Sequence, residues 1–301
     1  MTNNNGFIGH IACFSAYLIF GLNIIVCKDI ANLKLISPLG LFCFRAMGAT
    51  LLFWLCSLFL PKEKIEKRDM IKIFIASMLG LYLTQMCFLK GITITTALDT
   101  SIIASFSPIM TMLIASIYLK EPITWKKAGG VALSFAGVII LIFNSVSISS
   151  GVSQTQPLGV LLIIGNSLFF ALYLGIFRPL ISKYRVVTFM KWMFLFSMLV
   201  SVPMDINELI RLDYSAMPTQ YLLELLFLIL FSTFIAYFLI PIGQKALRPT
   251  IVSMYSYMQP IVAAILSIYL GMDNLTVLKV MAAICVFAGV VIVNQSKARV
   301  R

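Results

Sequence analysis

The sequence predicts an all-α membrane protein with ten transmembrane helices, arranged as two inverted-topology five-helix repeats. Three observations support this fold class. The mean hydropathy is +1.00 and only 11% of the residues are charged, whereas about a quarter are charged in soluble domains. The apolar residues form runs that, as helices of about 20 residues, would cross the roughly 30 Å hydrocarbon core of a bilayer. Finally, one long stretch of the chain occurs twice.

The repeated stretch is 91–141, which aligns without a gap on 243–293. The alignment places Pro108 on Pro260, and both copies contain the word Phe-Ala-Gly-Val at matching positions. Hydrophobic bias alone would align leucine with isoleucine, but it would not align prolines and glycines. The pattern therefore indicates a duplicated unit made of an apolar run, a short charged turn and a second apolar run.

Ten apolar runs divide into two groups of five, and each run is long enough to span a bilayer. We expect residues 1–144 to form the first repeat, 145–157 a polar linker and 158–301 the second repeat. The predicted spans are Phe7–Cys27, Ile36–Leu60, Met70–Phe88, Thr96–Leu119, Lys126–Phe143, Leu158–Phe177, Val186–Val202, Tyr221–Ile240, Ala246–Leu270 and Thr276–Asn294.

The distribution of basic residues predicts the orientation in the membrane. The termini, the loops after the even-numbered spans and the adjoining span ends carry 16 of the 23 Lys and Arg residues, whereas the opposite loops and span ends carry five. Cytoplasmic loops are rich in Lys and Arg, so we expect both termini in the cytoplasm and the protein in the cell (inner) membrane. Because 1–6 lacks basic residues, we expect the first span to be retained rather than cleaved as a signal peptide. The net charge of +12 is interpreted as a topology signal, and no nucleic acid partner is expected.

An odd number of spans in each repeat inverts the second repeat relative to the first. Inverted repeats are typical of secondary transporters, which hold a small-molecule substrate near the midplane between the two halves. An ancient duplication without a transport role is the alternative. The sequence contains one histidine, His10, and no metal-ligand cluster or phosphate loop. We therefore expect no enzyme activity, catalytic residue, metal or cofactor, and the six cysteines are interpreted as packing residues.

Two basic residues lie inside the predicted spans and away from the span ends. Arg45 lies about 14 Å along the second span at 1.5 Å per residue, too deep to reach the membrane surface easily. Such a charge faces a cavity or a partner, so Arg45 either binds an anionic group such as a substrate carboxylate or forms a structural pair with helix-end carbonyl groups or with an acid such as Asp99. We expect its loss to abolish transport with a modest loss of stability. Lys191 lies nearer the basic side, where its stem can extend to the headgroups.

Pro108 and Pro260 occupy matched positions in the middle of the fourth and ninth spans. Each proline removes the backbone donor for a carbonyl four residues earlier, at Ala104 or Ser256, and that carbonyl needs a protein or water partner in a bilayer. We interpret the two prolines as gating kinks, with static kinks that improve packing as the alternative. Polar side chains near these kinks are candidates for the cavity wall: Ser101, Ser105, Ser253 and Tyr257.

Further polar residues stand out within the apolar spans. We expect them to converge on one substrate cavity, although any one of them alone is more typical of an interhelical hydrogen bond. They are Asn23, Gln85, Asn166, Tyr173, Tyr237 and Gln259. Small residues on the fifth and tenth spans indicate close-packing faces that are either structural or facing a second copy in a homodimer.

Several short motifs occur in a fixed order along the chain. They are Phe20-Gly21-x-Asn23 with Lys28, Pro38 with Arg45, the Ser/Thr-rich start of the fourth span with Pro108, the turn Lys120–Pro122, the words Ala136–Val138 and Ala288–Val290, and Ser232–Tyr237. In this order the whole chain resembles the ten-span EamA-type branch of the drug/metabolite transporter superfamily. The resemblance implies export of small metabolites, such as amino acids or related compounds, through a central cavity. A membrane regulatory or assembly protein without transport activity is the second hypothesis.

Overall fold

The computed structural model describes residues 2–118, 125–147, 155–212, 217–272 and 274–295. The predicted turn Lys120–Pro122, Asp273 and most of the linker lie outside these residues. Within these residues the ten long helices are α1 (Thr2–Leu33), α2 (Pro38–Leu58), α3 (Lys67–Thr93), α4 (Ala97–Ala104 and Ser107–Tyr118), α5 (Trp125–Ser147), α6 (Pro157–Ile176), α7 (Val186–Arg211), α8 (Thr219–Ala246), α9 (Pro249–Met254, Tyr255–Tyr257 and Met258–Tyr269) and α10 (Val277–Gln295), and a short helix, Arg178–Lys183, connects α6 to α7.

These helices confirm the predicted all-α membrane fold. Eight of them within the described residues are long and apolar enough to cross a bilayer, and α5 and α10 contain the shorter apolar segments Ala128–Gly137 and Val277–Gly289. Several helices are longer than predicted. The largest extension at a single end is in α7, which continues through Pro203 to Arg211, because neighbouring helices can compensate for a proline inside a membrane helix. Ser145–Ser147, assigned to the linker, continue α5.

Helices α5 and α10 pack against each other through their small residues. A Cβ on Gly137 would lie 2.7 Å from the Ala282 carbonyl oxygen, and one on Gly289 would overlap the Gly130 carbonyl oxygen. The repeats are 152 positions apart, so Gly137 corresponds to Gly289 and Gly130 to Ala282. The two contacts are therefore equivalent. Ser134 Oγ donates to the carbonyl oxygen of Val286 at 3.1 Å, and these residues are themselves 152 positions apart. A pseudo-two-fold axis therefore passes between the two helices. The homodimer stays a prediction.

This packing predicts that Gly289→Ala destabilises the protein. The added methyl group would overlap the Gly130 carbonyl oxygen and Ser134 Oγ, and overpacking of this kind typically costs about 1–3 kcal/mol. Gly129→Ala is the matched control, because a Cβ on Gly129 has nothing within 4 Å and both changes bring the same gain in helix propensity. Thermal unfolding in detergent should show a lower Tm for Gly289→Ala only. Equal Tm values for the two variants would contradict the close α5–α10 contact.

Helices α3 and α8 carry the same irregularity at matched depth. Each contains a π-helical segment, Met78–Leu83 in α3 and Leu228–Ile235 in α8. At both places a threonine donates its hydroxyl to a carbonyl five residues earlier. Thr84, directly after the α3 segment, does so at 2.6 Å, and Thr233, inside the α8 segment, does so at 2.7 Å. π-Helical turns are rare and are frequently found at functional sites, so the matched pair directs attention to the side chains that follow.

An ionic cluster joins the two repeats at the end of the bundle where α1 begins, here called the N face. The buried carboxylate of Asp69 accepts hydrogen bonds from Lys183 Nζ at 2.6 Å, Lys72 Nζ at 2.9 Å and the Tyr184 hydroxyl at 2.8 Å. Hydrogen bonds to Asp69 and Glu66 raise the pKa of Lys183 above its ordinary value. Lys183 therefore stays protonated at neutral pH, and its ion pairs link the α6–α7 connection to α3.

Candidate functional site

A central cavity with an empty volume of about 570 Å3 lies between the two repeats. Helices α1, α3 and α4 of the first repeat and α6, α8 and α9 of the second contribute to its wall. The lining residues are Tyr17, Phe20, Asn23, Ile24, Thr84, Gln85, Phe88, Ala104, Ser107, Asn166, Ser167, Phe170, Tyr237, Ser256 and Gln259. None of these lining residues carries a charge at neutral pH, so amides, hydroxyl groups and aromatic rings define the chemistry of the site.

Five of the polar residues singled out in the sequence line this cavity. They are Asn23 on α1, Gln85 on α3, Asn166 on α6, Tyr237 on α8 and Gln259 on α9. Each comes from a different helix, so the fold brings together side chains that are far apart in the sequence. Amide groups from both repeats therefore surround one volume.

Gln85 and Tyr237 form a hydrogen bond in the wall of the cavity. The Gln85 Nε2 atom donates to the Tyr237 hydroxyl at 2.6 Å, and the two residues are 152 positions apart. They therefore occupy equivalent positions in the two repeats and meet at the pseudo-two-fold axis. The rings of Phe20 and Phe194 each pack edge-on against the Tyr237 ring, with 5.6 Å between ring centres. These contacts fix the phenol while its hydroxyl remains at the cavity wall.

Breaks in α4 and α9 place a second pair of equivalent residues, one from each repeat, at the cavity. Helix α4 is interrupted after Ala104, and α9 passes through a 3-10 turn at Tyr255–Tyr257. Pro108 and Pro260 fall in the first turn of the segment after each break, where the missing proline N–H is tolerated. The carbonyl groups left without their usual donor belong to Ala104 and Ser256, and both residues line the cavity.

The wall contains buried polar atoms without partners in the described part of the chain. Buried polar atoms are nearly always hydrogen-bonded, and leaving one unsatisfied costs about 1–3 kcal/mol. Water or a ligand is therefore expected to contact these atoms. The atoms are Tyr17 OH, Gln85 Oε1, Ser107 Oγ, Ser167 Oγ and Ser256 Oγ.

Other sequence candidates lie off the cavity wall. Ser101 and Ser105 donate to carbonyl groups of their own helix at 2.7 and 3.0 Å. Tyr173 packs against Gly80 of α3, and Tyr257 packs edge-on against a phenylalanine of α10 at 5.6 Å. Ser253 is buried within α9. A serine hydroxyl group can donate a hydrogen bond to a carbonyl group of its own helix. A serine in a span is therefore ambiguous evidence for a site.

Arg45 is 1% exposed and lies outside the cavity lining. Its Nε atom donates to Thr233 Oγ1 at 2.8 Å, and its Nη1 atom lies 3.9 Å from Cys27 Sγ. Thr233 belongs to the π-helical segment of α8, so the guanidinium joins α2 to an irregular part of the second repeat. The ammonium group of Lys191 lies 4.8 Å from the centre of the Trp54 ring, which is a cation–π contact.

Several lining residues were not singled out in the sequence for their side chains. Ser107 occupies the position equivalent to Gln259 in the other repeat. That correspondence in the sequence could have identified Ser107. Thr84 adjoins Gln85. The remaining members are apolar or aromatic residues and one serine, which resemble the rest of the spans in composition: Tyr17, Phe20, Ile24, Phe88, Ser167 and Phe170.

Comparison with known proteins decides the family. The model of the EamA-like transporter family matches residues 7–143 and again 157–295. The chain belongs to the EamA-like transporter family. The two matched stretches cover the two five-helix repeats, and membership, together with the apolar helices, establishes a multi-pass membrane protein of a transporter family.

The relatives extend this result without naming a substrate. The uncharacterized transporters YetK and YyaM of Bacillus subtilis are 24% and 22% identical, over 75% and 76% of this chain and 68% and 74% of theirs. An uncharacterized transporter of Archaeoglobus fulgidus is 24% identical, and the match spans about half of each chain, 52% and 53%. A crystal structure with 12% identity has a TM-score of 0.66 and covers 98% of this chain and 99% of its own. At this identity, the structural similarity shows a shared fold only.

Proposed function

We propose that this protein is a secondary transporter that exports a small, uncharged polar metabolite through the central cavity by alternating access. The observation that carries the proposal is the position of the cavity on the pseudo-two-fold axis, with equivalent residues of both repeats in its wall. Inverted-repeat transporters bind substrate at the repeat interface near the midplane. Exchange of conformations between the two repeats would open the same site first to one side and then to the other.

The chemistry of the wall supports an uncharged substrate. The lining residues include four amide side chains, Asn23, Gln85, Asn166 and Gln259, together with hydroxyl groups and aromatic rings. An ion taken from water into such a site would lose hydration without gaining an opposite charge from any lining residue, and this is unfavourable by several kcal/mol. A neutral solute with donors and acceptors could instead exchange its water contacts for the partnerless hydroxyl and amide groups.

The direction of transport rests on the resemblance to metabolite exporters, and the orientation rests on the distribution of basic residues. With cytoplasmic termini, the N face would lie toward the cytoplasm. Reporter fusions at the C-terminus should then give a cytoplasmic signal. A periplasmic signal would reverse the orientation, while leaving the cavity and its symmetry unchanged.

Transport into proteoliposomes tests the function directly. Wild-type protein should exchange labelled solute from a panel of neutral metabolites, and Tyr237→Phe should lower that rate by about tenfold, the equivalent of one hydrogen bond of about 1.4 kcal/mol. Tyr173→Phe is the matched control, because Tyr173 is equally buried but lies off the wall. Equal rates for the two variants would contradict a binding role for the cavity. Absence of transport across the panel would favour the regulatory or assembly function.

A further inference from the structure

The Gln85–Tyr237 pair presents hydrogen-bond donors beside an acceptor. Because Gln85 Nε2 donates one of its two hydrogens to the Tyr237 oxygen, the phenol hydrogen and the second Nε2 hydrogen are available to another group, and Gln85 Oε1 has no partner among the described residues. If the amide is rotated by 180°, the phenol donates to Oε1, and the Nε2 hydrogens and the phenol oxygen become available instead. The pair therefore offers both a donor and an acceptor in either orientation.

Few neutral groups match such an edge with two hydrogen bonds. A primary amide or a lactam carries N–H and C=O side by side, and therefore pairs with both positions. A carboxylate only accepts hydrogen bonds, and an ammonium group only donates them. Either ion would leave one member of the pair without a partner. A site with fixed donors and acceptors strongly rejects a ligand that cannot pair with them, because the buried groups are then left unpaired.

Aromatic rings make up much of the remaining wall. Phe20, Phe88 and Phe170 line the same cavity as the hydrogen-bonding pair, and flat rings pack favourably against aromatic faces and edges. The cavity thus combines an edge for an amide with surfaces for a planar ring.

We propose that the substrate is a planar, uncharged ring bearing a carboxamide or a lactam, with the N–H and C=O held by Gln85 and Tyr237. Nucleobases and aromatic amides have this chemistry. The inference rests on the proposed function of the same cavity, and it narrows the substrate from neutral metabolites in general to one recognisable group.

Ligand-induced thermal stabilisation of the purified wild-type protein tests the inference with closely matched probes. Benzamide and uracil present adjacent N–H and C=O groups, benzoate replaces the amide by an ion, and acetophenone removes the donor. We expect stabilisation by benzamide and uracil at concentrations at least about tenfold lower than by benzoate or acetophenone, since one hydrogen bond is worth about tenfold in affinity. Benzoate or acetophenone binding as tightly as benzamide would overturn the proposal.

Two variants connect the preference to the pair. Gln85→Met and Tyr237→Phe should each reduce benzamide affinity by about tenfold, whereas Tyr173→Phe should leave it unchanged. An unchanged affinity in both wall variants would also overturn the proposal. Transport of other solutes that is sensitive to Gln85→Met, without binding of any amide, would contradict only the substrate class. Absence of transport for every solute, with amide binding retained, would contradict only the proposed function.

Discussion

Lys279→Met is expected to destabilise the protein by about 3–5 kcal/mol, as is typical when one partner of a buried ion pair is removed. The Lys279 Nζ atom lies 3.5 Å from Asp99 Oδ1, and the two residues are 6% and 2% exposed. Thr155, in the segment that connects the repeats, donates its hydroxyl to the same carboxylate. Asp99 therefore links α4 to α10 and to the connecting segment, at the end of the bundle opposite the N face.

Thermal and denaturant unfolding in detergent should show this loss, and two variants serve as controls. The double variant Asp99→Asn with Lys279→Met should recover part of the stability, because it removes both charges together. Lys72→Met should cost less than about 1 kcal/mol, since Lys72 is 51% exposed and Asp69 keeps its bond to Lys183. A Lys279→Met effect no larger than that of Lys72→Met would show that the buried pair does not stabilise the fold.

Arg45→Ala is expected to lower stability by about 1.5–3 kcal/mol, the usual contribution of a hydrogen bond to a charged group, while transport per folded molecule stays near the wild-type value. The position of Arg45 against Thr233, outside the cavity lining, favours the structural alternative over the loss of transport expected from the sequence. Thr233→Val should reproduce part of the destabilisation. Normal stability with abolished transport in Arg45→Ala would instead support a role in binding the substrate.

The fold was predictable because duplication and hydropathy leave strong traces in the sequence. Matched prolines and glycines have backbone roles that hydrophobic bias cannot imitate, so Pro108 and Pro260 revealed the repeat. The amide residues of the wall were also recognisable, since Gln85 or Asn166 inside an apolar span needs a partner. In these cases the chemistry of the residue, rather than its orientation, carried the information.

The rest of the site depends on helix rotation and local backbone geometry, which sequence does not display. Phe88 and Phe170 face the cavity, yet a phenylalanine that faces lipid has the same composition. Arg45 was recognised as buried, but its partner depended on the π-helical segment that positions Thr233. Helix α7 was predicted too short because the polar residues after Pro203 resemble a loop.

The meeting of Gln85 and Tyr237 at equivalent positions bears on how a ligand is oriented. In two identical repeats, both positions would carry the same residue, and a bound molecule would have two poses of equal energy related by the axis. Glutamine opposite tyrosine removes that degeneracy, because the two poses place the ligand against an amide and a phenol, which differ in shape and in hydrogen-bonding geometry. Divergence of this single pair after duplication is therefore sufficient to make the two poses unequal in energy in an internally symmetric protein.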